Sequence, residues 1–185
     1  MARRPEFRWL IPAGLLVVPA YHAAYAVQYL TVDQAQRSAF PQASDFTVVA
    51  LSRGMLDRTA AALGEPAPAG WAPKIWEARA GEQRLGWLIV DQVIGKTDAI
   101  TFALALGPDG AVTSLEILEY REAHGGEVRL PAWRRQFTGR RAKDPVRVGS
   151  DIRNISGATL SCRHVTDGVR RLLSLYEQVL RPVTK

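Results

Sequence analysis

Residues 160–180 run without a proline, and Val165, Val169, Leu172, Leu173, Tyr176, Val179 and Leu180 recur at offsets of 0, 4, 7, 8, 11, 14 and 15. That spacing is one apolar face at helical period. A helix with such a stripe gains most of its stability from the surface it lies on, so the rest of the chain must supply an apolar layer. The layer is found at residues 74–121, where the pattern changes to strands. Residues 74–80 and 84–94 flank a Gly81-Glu82 turn, and 99–106 follow. Gly107-Pro108-Asp109-Gly110 is a strong turn signal, and 111–121 complete a hairpin. Along that last strand Val112, Leu115, Ile117 and Leu118 are apolar, so its alternation is imperfect. The expected fold is α+β: a twisted antiparallel sheet covered by the long C-terminal helix, with the start of that helix at the end of the sheet.

Ahead of the sheet, residues 31–40 read as a short helix stopped by Pro41, and a second helix begins after Ser52 with Leu56, Ala60 and Leu63 on one face. Glu65-Pro66-Ala67-Pro68-Ala69-Gly70 breaks it. At the N-terminus Arg3, Arg4 and Arg8 precede residues 10–27, which carry no charge and one clearly polar side chain, His22. This is either a secretory signal with Ala24-Tyr25-Ala26 as the cleavage box or an uncleaved membrane helix. Retention is the favoured reading. Arginines before the apolar run place its start in the cytoplasm and the remainder outside. Cleavage would remove three arginines and one glutamate, taking the net charge from +6 to +4. The expected division is 1–30 as signal anchor or signal peptide, 31–70 as a helical lead-in and 71–185 as the functional domain.

A basic chain invites a nucleic-acid reading, but its arginines are scattered and not interleaved with aromatics, so no nucleic-acid partner is expected. Attraction to anionic headgroups or to an acidic redox partner is the simpler reading. The single cysteine, Cys162, excludes an internal disulfide and any multi-cysteine metal centre. Only three histidines are present, His22, His124 and His164, and no metal-ligand cluster is visible. Cys162 reads as a small buried residue.

The chemistry gathers at Asn154-Ile155-Ser156-Gly157-Ala158-Thr159-Leu160-Ser161, where the long helix begins. Ser156, Thr159 and Ser161 can each accept a bond from an orphan amide, and Gly157 allows a tight turn or close approach to a ligand. Such a start can be an ordinary capped helix. It can also be an anion site, because free amides and the positive dipole end converge there. Residues 155–161, followed by Val165-Thr166-Asp167-Gly168-Val169, resemble the signature of the FMN-binding domain of the Rnf and Nqr peripheral flavin subunits and of NosR-type regulators. In that family a flavin transferase esterifies FMN, through its phosphate, onto the last threonine of the Ser/Thr-Gly-Ala-Thr motif. The matching residue is Thr159. The resemblance implies a cradle of Ser156, Gly157, Ala158, Leu160 and Ser161. The family usually carries an aspartate three residues before the serine. Arg153 stands there, with Asp151 two residues earlier. An arginine suits phosphate oxygens, so FMN held without a covalent bond stays open beside the ester.

Arg121-Glu122-Ala123-His124-Gly125-Gly126-Glu127 resembles the family's glutamate- and glycine-bearing loop, with Ala123 and His124 in place of threonine and proline. The resemblance implies that Glu122, Gly125 and Gly126 border the flavin ring. A surface hairpin loop is the alternative, with His124 a solvated residue. Pro131 suits the first turn of a short helix whose Trp133 and Phe137 read as core, with stacking on the flavin ring as the weaker alternative.

The first functional expectation is an extracytoplasmic, membrane-associated FMN protein that relays electrons as a carrier or as part of a larger complex. Its expected partners are a flavin transferase, membrane redox proteins and the lipid bilayer through residues 1–30. Two other classes stay open, a non-redox envelope binding module and a component of a flavin reductase. For the last, the chain shows no nicotinamide-binding glycine turn and no nucleophile–base pair, and no catalytic residue is assigned.

Overall fold

The computed structural model describes residues 27–122 and 124–181. Their framework is a six-stranded antiparallel sheet of β1 (Val27–Gln28), β2 (Asp45–Val49), β3 (Lys74–Ala80), β4 (Gln83–Ile94), β5 (Ala99–Leu106) and β6 (Val112–Tyr120). The spatial order is β1-β6-β5-β4-β3-β2. Five consecutive strands, β2 to β6, are thus neighbours, and β3 to β6 are joined by short turns as the sequence pattern expects. Register shifts at Ala78/Arg79, Thr101/Phe102 and Ala105/Leu106 are bulges, which increase local twist.

Helices cover both faces. The long helix, α4 (Thr159–Leu175), lies on one face with α2 (Arg53–Leu63), above Trp87, Ile89, Phe102, Leu104, Leu115 and Ile117. On the other face α1 (Val32–Ala39) and Phe40 cover Leu88, Val90, Ala103, Ala105 and Leu118. This explains the imperfect alternation of β6. Ile117 and Leu118 point to opposite faces, as successive strand residues must, and both faces are buried.

The expected helices form for identifiable reasons. Thr31 caps α1 and Gln34 reciprocates, while Ser52 caps α2, which ends on Gly64 in the left-handed region. In α4, Val165, Val169, Leu172 and Leu173 are at most 1% exposed. Each such burial contributes about 1.5–3 kcal/mol. The apolar stripe continues past Leu175 through a wider π-type turn, Tyr176–Leu180. Gly168 brings α4 close to the sheet, since a Cβ there would stand 2.8 Å from Phe102 Cζ and 2.9 Å from Val93 Cγ1.

Two strands go beyond what the sequence pattern predicts. β2 falls between the two N-terminal helices and pairs with β3, and β1 pairs with the end of β6. The apolar segment of residues 10–27 lies, except for Val27, outside the described residues. Among those described, no helix is long and apolar enough to cross a membrane.

Candidate functional site

α4 begins at Thr159, and the residue ahead of it, Ala158, has no side chain that can cap it. Ser156, Thr159 and Ser161 do not act as the caps their residue types suggest. Ser156 lies before the left-handed Gly157 (φ 85°) and is exposed, while Ser161 sits inside the first turn and is buried. The first-turn amides are therefore left without a side-chain acceptor, at the positive end of a 17-residue helix. Thr159 is half-buried and its Oγ1 accepts a bond from Asn154 Nδ2 at 2.9 Å. Gly157, two residues before it, is exposed and has open space around a would-be Cβ. Leu160, beside it, is 43% exposed.

The loop after β6 comes to the same place. Tyr120, the last residue of β6, donates its hydroxyl proton to the carbonyl of His124 and lies 2.9 Å from Ser161 Oγ. The tyrosine proton being committed, Ser161 is the donor of the second bond. Gly125 (φ 91°) packs directly on this pair, and a Cβ there would meet Ser161 Oγ and Tyr120 Oη, each at 2.6 Å. Gly126 follows at the start of a short 3-10 turn beside the Tyr120 ring. Gly125 and Gly126 are thus joined to the start of α4 through Tyr120 and Ser161.

Glu122 is oriented elsewhere. Its Oε1 accepts from the amides of Thr97 (2.7 Å) and Asp98 (3.0 Å) in the turn between β4 and β5. Burial would raise its pKa, but these amides, with that of Lys96, outweigh it and hold the carboxyl below the ordinary range. Asp151, the acid nearest the position where the family carries one, is likewise committed. Its carboxylate accepts from the amides of Arg147 (2.7 Å) and Val146 (3.0 Å) and pairs with Arg140 at 3.3 Å. Burial again opposes ionisation, and the two amides with Arg140 outweigh it, lowering the pKa. This clamp holds Val146, buried and β-branched, at φ 44°, a conformation that costs about 1–3 kcal/mol. Arg153 is fixed through its backbone, its amide donating to Gln136 Oε1 and its carbonyl accepting from Trp133 Nε1, both at 2.8 Å. Its side chain is exposed, one residue ahead of Asn154, and makes no ion pair among the described residues.

Trp133 and Phe137, buried and edge-to-face at 5.0 Å, form the wall behind this segment. Cys162 is fully buried, and burial pushes its thiol pKa up. Both placements match the expectation from sequence.

Residues 95–174 match the family model of the FMN-binding domain. They form an FMN-binding domain resembling those of Rnf subunits. The chain is 22% identical to one subunit of the Na(+)-translocating ferredoxin:NAD(+) oxidoreductase complex of Acetobacterium woodii, over 91% of this chain and 86% of that relative. FMN is the cofactor of this domain. An uncapped helix start with a half-buried threonine, its hydroxyl held by Asn154, and an exposed glycine turn fits a phosphate group. Four residues hold this segment in place without having been singled out for that task in the sequence. Asn154 holds the Thr159 hydroxyl, Tyr120 ties the loop to the helix, and Gln136 and Trp133 hold Arg153. Asn154 lies within the motif itself, so a side-chain role there is open to sequence reasoning. The other three meet the site only through tertiary contacts.

Proposed function

We propose that this protein is an extracytoplasmic, membrane-associated electron carrier whose FMN is esterified through its phosphate to Thr159 Oγ1. An FMN-binding electron-transfer role is supported by the matched domain and by the relation to an oxidoreductase component. The observation that carries the finer reading is the uncapped start of α4, with Thr159 Oγ1 held by Asn154 at 2.9 Å and the Gly157 turn exposed beside it. The cofactor supplies the one- and two-electron chemistry. The chain's part is to hold it. The first-turn amides and Ser156 receive phosphate oxygens, Leu160 offers an apolar contact, and the Gly125-Gly126 backbone borders the ring. Glu122 acts at one remove, by fixing the β4–β5 turn. Residues 1–30 attach the domain to the bilayer, and a flavin transferase completes it. Membrane redox proteins are its electron donors and acceptors.

Arg153 favours a second arrangement at the same site, in which its guanidinium binds the phosphate and no ester forms. One experiment separates the two. The full chain is co-expressed with a flavin transferase in an exporting host, then run on a denaturing gel under ultraviolet light, with intact mass measured in parallel. A fluorescent band, heavier by one esterified FMN and lost in Thr159→Ala, is the expected result. A yellow native protein that loses its colour on denaturation identifies the Arg153 arrangement. A colourless protein with no affinity for FMN removes both.

A further inference from the structure

The two ends of the sheet differ in what they expose. At one end four strands meet in a row, Val27 of β1 beside Tyr120, Tyr120 beside Ile100, and Ile100 beside Val93. Ile94 lies one residue further out, paired with Ala99, and the Gly95 amide closes the hairpin on the Asp98 carbonyl at 2.8 Å. α4 starts at this end, where Ser161 meets Tyr120, and runs past Phe102 at Gly168 to Trp87 and Gly110 at Tyr176. Gly110, in the turn between β5 and β6, marks the opposite end.

Five large apolar side chains are exposed among the described residues, and Val27, Ile94 and Leu160 are at the end where α4 starts. Ile94, 61% exposed, stands at the tip of the β4–β5 hairpin, with the exposed Lys96 in the same turn. The Arg129 guanidinium lies over the ring of Tyr29, 5.1 Å from its centroid, next to where the chain enters the sheet. Neither Lys96 nor Arg129 makes an ion pair among the described residues. Glu119 pairs with Arg121 at 2.9 Å and Glu122 accepts the turn amides, which leaves Glu127 as an exposed acid nearby. Charge at this end is close to balanced, so apolar groups set it apart from the rest of the surface.

What covers such a surface follows from the chain that leads into it. Residues 10–26 are uncharged and run into Val27, already in β1, with no polar linker between. As a helix this run measures about 26 Å, short of the roughly 30 Å of a bilayer's hydrocarbon core. It has no length to spare as a tether, so attachment through it brings Val27 and the row beside it down to the headgroups. We infer that this end of the sheet rests on the surface of the lipid bilayer, with Val27 and Ile94 at the boundary of headgroups and acyl chains and Lys96 and Arg129 reaching lipid phosphates. The inference rests on the proposed membrane attachment of residues 1–30 and adds the orientation of the domain. It sets the start of α4 close to the bilayer and the Tyr176 end away from it.

The test reconstitutes the full chain in phosphatidylcholine vesicles and floats them on a density gradient. Ile94→Cys and Val48→Cys each carry an environment-sensitive thiol dye. The native Cys162 is buried, and the unsubstituted chain controls for its labelling. Val48, 69% exposed, is the reference site, level through Trp76 with Leu88 and so about 17 Å along β4 from Val93. In vesicles with brominated acyl chains, the dye at 94 should shift to the blue and lose emission, while the dye at 48 keeps its aqueous spectrum. A floating chain whose dye at 94 stays in water overturns the inference, leaves the attachment standing and gives this end to a protein partner. Equal quenching at 94 and 48 also overturns it, because no end is then preferred. A chain that does not float removes the attachment and the inference with it. If circular dichroism shows that Ile94→Cys does not fold, Lys96→Cys in the same turn decides by the same readout.

Discussion

At its C-terminal end α4 is clamped, while at its N-terminal end it is left open. Beyond Leu175, the Tyr176 ring packs edge-on against Trp87 at 5.3 Å, sits directly on Gly110, and donates its hydroxyl to the carbonyl of Pro108 at 3.0 Å. The amide of Arg181 closes that end by bonding to the Tyr176 carbonyl at 2.7 Å. At Thr159 no side chain caps the first turn, and the two residues next to Ala158 on its N-terminal side are exposed. One apolar stripe connects these two designs. Packing along the stripe and at Tyr176 fixes the helix, so the far end can keep unmet polar groups without unravelling. A ligand can use only groups that the fold has not already satisfied, and the unpaired backbone amides of α4 lie at that one end.

The sharpest way to break the contrast is Thr159→Ala. All covalent flavin should disappear, while stability falls by no more than about 1 kcal/mol, because only the bond from Asn154 is lost. In-gel fluorescence and a urea melt of the same sample check both halves. Tyr176→Ala should do the reverse. Removing a buried aromatic costs about 3–5 kcal/mol, read as a lower urea midpoint. Below that midpoint the protein should still be flavinylated. Gly168→Ala tests the stripe between the ends. The added methyl meets Phe102 and Val93, costing about 1–3 kcal/mol, offset in part by about 1 kcal/mol of helix propensity. A rise in melting temperature would show that α4 is not held tightly to the sheet there.

Tyr120→Phe addresses the tie between the glycine loop and the open end. Loss of the hydroxyl should cost about 1 kcal/mol and raise amide exchange at residues 124–126, with no change at Tyr176. The smallest effect concerns pH at Asp91. Its folded pKa is raised by burial, so between the ordinary carboxylate value and the raised one the folded state binds more protons than the unfolded. Its contribution to stability is then fully present at acid pH and declines as pH rises through that window. Melting temperatures across pH should therefore fall less with rising pH in Asp91→Asn than in the parent.

Much of this architecture is legible in the sequence because periodicity survives context. The 3.6-residue stripe of α4 and the turn signals around β3 to β6 lie in local residue order, and so do the caps at Thr31 and Ser52. β2 is not legible there. It is a short edge strand, its Val48 is 69% exposed, and it exists through pairing with β3, far along the chain. The motif residues are legible as a group, but their individual tasks are not. Hydroxyls at positions 156, 159 and 161 all look like caps, and only the observed helix start at Thr159 decides that none of them is. Glu122 and Asp151 draw notice in the sequence through the residues beside them. In the fold, each carboxylate is taken up by amides of a neighbouring turn.

The sequence alone determined that an apolar helix face must lie on an antiparallel sheet, and that a glycine-bearing hydroxyl motif would open that helix. These follow from backbone geometry and hydrophobic period, which act over a few residues. Tertiary structure alone decided which polar groups stay unmet. Among the described residues those include the amides at the start of α4 and buried side-chain nitrogens of Arg84, His164, Arg170 and Arg171, because satisfaction of a buried or terminal polar group depends on partners that only folding brings near.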